Sequence, residues 1–127
     1  MPEERRQHPR VPVNRPATVR TANGESQRVK LFDLSVAGVG LLMPAAMMVG
    51  EQLDVEFYLS HEGQSLTIAA RGVVCRTHIR GGEVAVGVNI QELAPEARQL
   101  IAGFIYYKLE LTGQGQSGTK PESARTS

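Results

Sequence analysis

Apolar and polar residues alternate along most of this chain, and nearly every alternating run ends in a turn signal. Leu53, Val55, Phe57 and Leu59 are interleaved with Asp54, Glu56 and Tyr58, the period-two pattern of a strand with one face in a core and one in water. The same reading predicts strands over 17–21, 28–34, 39–43, 66–79 and 84–90. Asn23-Gly24, Glu62-Gly63-Gln64 and Gly81-Gly82 punctuate them, and Pro44 closes the run that ends at Met43. Gly72, inside the longest run, marks an expected bulge or kink. Six short strands joined by hairpins imply an all-β fold, a small closed or split antiparallel barrel that leaves few strand edges unprotected.

The period changes after Pro95. Ala97, Leu100, Ile101, Phe104, Ile105 and Leu111 follow helical spacing, with Pro95 in the first turn and Glu96 at the positive end of the helix dipole. A C-terminal helix over 95–111 is expected to seal the barrel mouth, with Phe104, Tyr106 and Tyr107 as a candidate partner face. The domain reading is a flexible arginine-rich arm over 1–15, a barrel with its helix over 16–111, and a disordered Gly, Ser, Thr and Pro-rich tail over 112–127.

Composition narrows the function classes. Fourteen Lys plus Arg against thirteen Asp plus Glu leave a net charge of +1, which argues against coating nucleic acid through bulk charge. An anion site must therefore be local. The single cysteine, Cys75, lies in an apolar run and is expected to be a buried thiol in a reducing compartment. With no apolar leader and no run long enough to span a bilayer, the expectation is a cytoplasmic protein without membrane insertion. His8, His61 and His78 lack metal-motif spacing and are expected on the surface, with no metal bound. No phosphate-binding loop, nucleophile elbow or paired acid and base appears, so the chain does not read as an enzyme.

Two stretches carry chemistry. Arg5, Arg6 and Arg10 lie on an arm that Pro9 and Pro12 keep out of helix. Asp33, Ser35 and Gly38 follow where a strand runs out. Guanidinium forks suit phosphate and the O6/N7 edge of guanine, and a carboxylate accepts from the guanine N1 and N2 hydrogens. Taken alone these residues support an anionic, purine-containing ligand. Gly38 has two readings: a turn glycine needing positive φ, or a missing Cβ that lets a flat base approach the backbone. Which of Arg71, Arg76 and Asn89 faces the same site is left open by the sequence.

The ordered pair RxxxR, filled by Arg6 and Arg10, and [D/N]xSxxG, filled by Asp33, Ser35 and Gly38, resembles the signature of the PilZ domain family across roughly residues 4–111. The resemblance implies a six-stranded antiparallel barrel and a receptor for the bacterial second messenger cyclic di-GMP, with no other cofactor. It implies that Arg6 and Arg10 engage phosphate and guanine, that Asp33 bonds the guanine edge, that Ser35 reaches phosphate and that Gly38 makes room. Arg5, immediately before the first motif, resembles the pattern associated with two mutually intercalated ligand molecules per chain. The arm is expected to order on binding and to signal to an unidentified protein effector. A PilZ-like docking module without ligand, and a barrel binding single-stranded nucleic acid, rank below this reading; an aromatic content of 5% offers few stacking platforms for the latter.

Overall fold

The alternation resolves into strands in a computed structural model that describes residues 8–112. In chain order the elements are β1 (Val11–Thr21), β2 (Ser26–Leu34), β3 (Gly38–Met43), β4 (Gln52–His61), β5 (Gln64–Arg80), β6 (Glu83–Leu93) and the helix α1 (Pro95–Thr112). Neighbouring strands are antiparallel in the order β1-β2-β3-β6-β5-β4, and pairing of β1 with β4 closes a six-stranded barrel. Leu53, Val55, Phe57 and Leu59 of β4 and Val84, Val86 and Val88 of β6 point into one core with Leu31, Leu41 and Ile68. Burying these branched side chains drives closure, at about 1.5–3 kcal/mol for each.

The turns follow their residues. Glu62-Gly63 and Gly81-Gly82 both hold two positive φ values, 51° and 80° in the first and 59° and 86° in the second. Those are two-residue hairpins whose twist matches that of the strands. Asn23-Gly24 differs, because only Gly24 is left-handed, at φ 91°. Gly24 N–H donates to Thr21 O and Thr21 N–H to Glu25 O, both at 2.9 Å, which makes a three-residue loop.

β1 begins at Val11, six positions before the expected strand, so residues 11–15 belong to the sheet and not to the arm. Pro12 and Pro16 concealed this. β1 pairs with β4 only from Thr18 to Thr21, so its first half is paired on one side, the edge condition under which a strand tolerates proline. The rest of the expected arm, residues 1–7, lies outside the described residues, as does 113–127 of the expected tail.

α1 packs Ala97, Leu100, Ile101, Phe104 and Ile105 into the core, as its spacing requires. Leu111 is the exception at 64% exposed: eighteen residues span roughly 27 Å, and the last turns project past the barrel. His61, expected on the surface, is wedged under the helix with its side chain 12% exposed, edge-on to Phe104 and tilted against Tyr107. Gly103 permits this, because a Cβ there would stand 3.3 Å from the imidazole Cδ2. Among the described residues no helix is long and apolar enough to cross a membrane.

The ladder between β5 and β6 has two irregularities. The register shifts at Gly72, where a bulge of β5 is expected, but the surplus residue there is Gln91 of β6. A second shift, between Val74 and Arg76, leaves Cys75 without a cross-strand partner. The thiol, next to buried Val74, lies on the outer face and is exposed, contrary to the sequence expectation, and donates to Gly87 O at 3.3 Å.

Candidate functional site

β2 places the candidate aspartate through a bulge. Val29 and Leu31 point inward, so strict alternation would bury Asp33 and expose Leu34. The ladder to β3 instead pairs Leu31 with Leu41 and Asp33 with Gly40, making Phe32 an extra residue. Leu34 returns to the core at 0% exposed, while Phe32 and Asp33 remain partly accessible. On the other side β1 pairs Pro12 with Asp33 and shifts register before Arg15. Pro12 thereby carries Arg10 to the carboxylate: Arg10 Nη1 donates to Asp33 Oδ2 at 2.9 Å, across 23 positions of sequence. The side chains are 39% and 25% exposed, so the pair sits at a rim open to solvent.

Ser35 is used differently from the sequence expectation. Its Oγ accepts from Ala37 N–H at 3.1 Å and Gly38 N–H at 2.9 Å, and donates to Gly38 O at 3.2 Å. A hydroxyl has one donor and two acceptor sites, all of them occupied here, and the residue is 1% exposed. In this structure Ser35 ties the β2–β3 turn instead of presenting a hydroxyl to solvent. Ser35→Ala is therefore expected to lose about 1–3 kcal/mol of stability by orphaning a buried N–H. Urea unfolding checks this, and an unchanged midpoint would refute the tying role.

Geometry removes the first of the two readings of Gly38. Its φ lies outside the left-handed region, so the turn does not require glycine for conformation. A Cβ would stand 2.7 Å from Val88 O and 3.2 Å from Arg10 Nη2, so the residue is bare to admit the β6 backbone and the arginine. Gly40 plays a similar part that the sequence did not disclose: a Cβ there would be 2.8 Å from the Phe32 ring and 3.0 Å from Asp33 Cβ. Phe32 was also missed, although the break of alternation at Leu31-Phe32-Asp33-Leu34 is its signal. Arg98 of α1 donates to Val36 O at 3.3 Å and links the helix to the same turn.

The structure brings Arg10, Asp33, Ser35 and Gly38 together; Arg5 and Arg6 lie outside the described residues. Of the residues left open, Asn89 of β6 is opposite Gly38, on the strand adjoining β3, and Arg76 of β5 is opposite Gly87, one strand further away. Arg71 is elsewhere. It bonds Asp54 at 3.0 Å and lies 3.9 Å from Glu92, carboxylates that raise its pKa above the ordinary guanidinium value, the hydrogen bond to Asp54 foremost. With Thr18, Arg20 and Glu56 it lines a hollow of about 450 Å³ that none of the described motif residues lines. In that hollow Arg71 is already engaged by Asp54 and Glu92, and the chemistry of the described motif residues lies at the rim.

The same fold occurs in known proteins. The fold resembles the Bacillus subtilis inhibitor of motility at a TM-score of 0.77 with 16% identity, over 85% of this chain and 53% of that one. YcgR from Escherichia coli in complex with c-di-GMP aligns at 0.64 with 20% identity, over 84% and 46%. The isolated PilZ domain of YcgR with c-di-GMP aligns at 0.58 with 19% identity, over 84% and 94%. The chain thus spans about half the length of the first two and nearly all of the isolated domain. A search of curated proteins gives no match. The family model for the PilZ domain matches residues 4–107, a span that takes in both motifs, all six strands and most of α1, and the chain belongs to the PilZ domain family.

Proposed function

We propose that the protein is a receptor for cyclic di-GMP that passes the signal to a protein partner. The observation that carries this reading is the Arg10–Asp33 pair held at an open rim above a bare Gly38. It joins a fixed cation and a guanine-reading carboxylate, with the guanidinium seated over the glycine. Solved relatives of the same fold are complexes with this nucleotide. Arg10 engages phosphate and the O6/N7 edge of guanine. Asp33, with Oδ2 held by Arg10, receives the N1 and N2 hydrogens on Oδ1. Ser35 and Gly38 shape the surface that the base approaches. Arg6 supplies the second cation of its motif, and the segment carrying it orders over the nucleotide as phosphates neutralise its charges.

Two stacked dinucleotides bring four phosphodiester charges where one brings two, and Arg5 is placed in sequence to offset the added repulsion. Calorimetric titration with cyclic di-GMP is the test. It is expected to saturate at two molecules per chain, and Arg5→Leu to move the endpoint toward one with binding retained. Saturation at one in the unmodified protein would remove the role of Arg5. No heat and no competition at millimolar ligand would reject the receptor.

A further inference from the structure

Away from the motif, the outer face of the barrel carries a row of charges in register. Arg20 of β1 is opposite Asp54 of β4, Asp54 is opposite Arg71 of β5, and Arg71 is opposite Glu92 of β6. Directly opposed residues share a face. Four neighbouring strands therefore present plus, minus, plus and minus in turn, over three gaps of about 4.8 Å or roughly 14 Å in all. The next row on this face is Thr18, Glu56 and Ala69. Its two small side chains, either side of the glutamate, help to leave the hollow of about 450 Å³.

Within one chain the row is only half satisfied. Arg71 bonds Asp54 at 3.0 Å and lies 3.9 Å from Glu92, whose side chain is 72% exposed. Among the described residues Arg20 and Glu56, both exposed, have no ion pair. The order of the signs matters more than their sum. A two-fold axis along the strands, between β4 and β5, lays the row on a second copy in reverse. Arg20 then meets Glu92 of the second copy and Asp54 meets its Arg71, each contact occurring twice. Glu56 falls over Ala69 of the second copy, where the hollow has room for it. A two-fold axis along the row would instead set every charge against its own kind, so the signs select one arrangement.

We propose that this face joins two copies of the chain in a two-fold dimer, with Arg20–Glu92 and Asp54–Arg71 as its paired contacts between copies. An alternating row of four charges is its own complement once reversed, which is the condition for an interface formed by the same patch on both copies. A net charge of +1 keeps the overall repulsion between copies small. Because a two-fold contact is closed, assembly stops at two. The dimer goes beyond the nucleotide reading and does not depend on it: the row uses none of Arg10, Asp33, Ser35 and Gly38.

The test is analytical ultracentrifugation of the nucleotide-free protein from about 10 μM to about 1 mM, the range in which exposed ion pairs give a weak complex. The unmodified protein is expected to pass from one copy to two and no further. Raising the salt from about 0.05 M to about 0.5 M should weaken the dimer about tenfold, since exposed charges are screened. Arg20→Glu sets a carboxylate against Glu92, and Glu92→Arg sets a guanidinium against Arg20, so each variant alone should associate about a hundredfold more weakly. Mixed in equal amounts, the two variants are expected to dimerise with each other, because both Arg20–Glu92 contacts regain opposite signs. Both positions are exposed, so the fold is retained. Arg20→Gln, which adds no carboxylate beside Asp54, is the milder version and should weaken the dimer about tenfold. An unmodified protein that stays single throughout the range would overturn the dimer. Single variants that associate like the unmodified protein, or a mixture that stays single, would overturn it too.

Discussion

Arg10→Ala is expected to lower the affinity for cyclic di-GMP about a hundredfold while leaving the thermal midpoint nearly unchanged. The two effects separate because the guanidinium is worth more to a ligand than to the fold. Hydrogen bonds to charged groups contribute about 1.5–3 kcal/mol each, and a fork that meets phosphate or the guanine edge makes two. The bond that Arg10 makes in the free protein is to Asp33, with side chains 39% and 25% exposed, and a pair so open to water contributes about 0–1 kcal/mol. Without Arg10 the carboxylate is hydrated, so no buried charge is left behind. Arg10→Lys should rescue only part of the loss, since an ammonium has no planar fork. Titration and thermal unfolding of the two variants read both quantities. A loss under about threefold, or an Arg10→Ala protein that is unfolded, would show that the pair belongs to the scaffold.

Gly38→Ala is expected to damage stability and binding together, which sets it apart from the arginine variant. The added Cβ would stand 2.7 Å from Val88 O, a backbone atom that moves only if β3 and β6 separate locally. It would also stand 3.2 Å from Arg10 Nη2, displacing the guanidinium from its seat beside Asp33. Overpacking of this kind costs about 1–3 kcal/mol. Because Ser35 ties its hydroxyl to both the N–H and the carbonyl of Gly38, the shift propagates into the turn. Urea unfolding should give a lower midpoint, and titration below the transition should give weaker binding. If Gly38→Ala matched the unmodified protein in both, the space above Gly38 would have no part in the site.

Local patterns account for most of what could be read ahead of the structure. Alternation along 53–59 marked β4 because Leu53, Val55, Phe57 and Leu59 each see the same core. Gly81-Gly82 marked a hairpin because positive φ costs glycine nothing. The turn at Asn23-Gly24 was placed correctly, but its three-residue loop depended on which of the two residues turned left-handed, and only Gly24 did. Residues 11–15 read as part of an arm because the stretch from 1 to 15 is charged and proline-rich without a period, whereas Pro12 and Pro16 sit where β1 has a neighbour on one side only.

The order of elements, the antiparallel barrel with its sealing helix, and the two motifs that name the family were determined by the sequence itself. Each is written within a few residues or in the spacing of short motifs, and so survives without knowledge of neighbours. The tertiary structure alone decided which side chains meet. A bulge is one extra residue counted against a partner strand, so the broken alternation at 31–34 signals an irregularity, but only the pairing with β3 shows that Phe32 is the surplus residue and that Asp33 faces out. The same count on β5 makes Cys75 the surplus residue and leaves Arg76 exposed opposite Gly87, while Arg71, five residues earlier, pairs with Asp54. Closing a ring of six strands fixes those registers together, and it is closure that carries Arg10 to within 2.9 Å of a carboxylate 23 residues away.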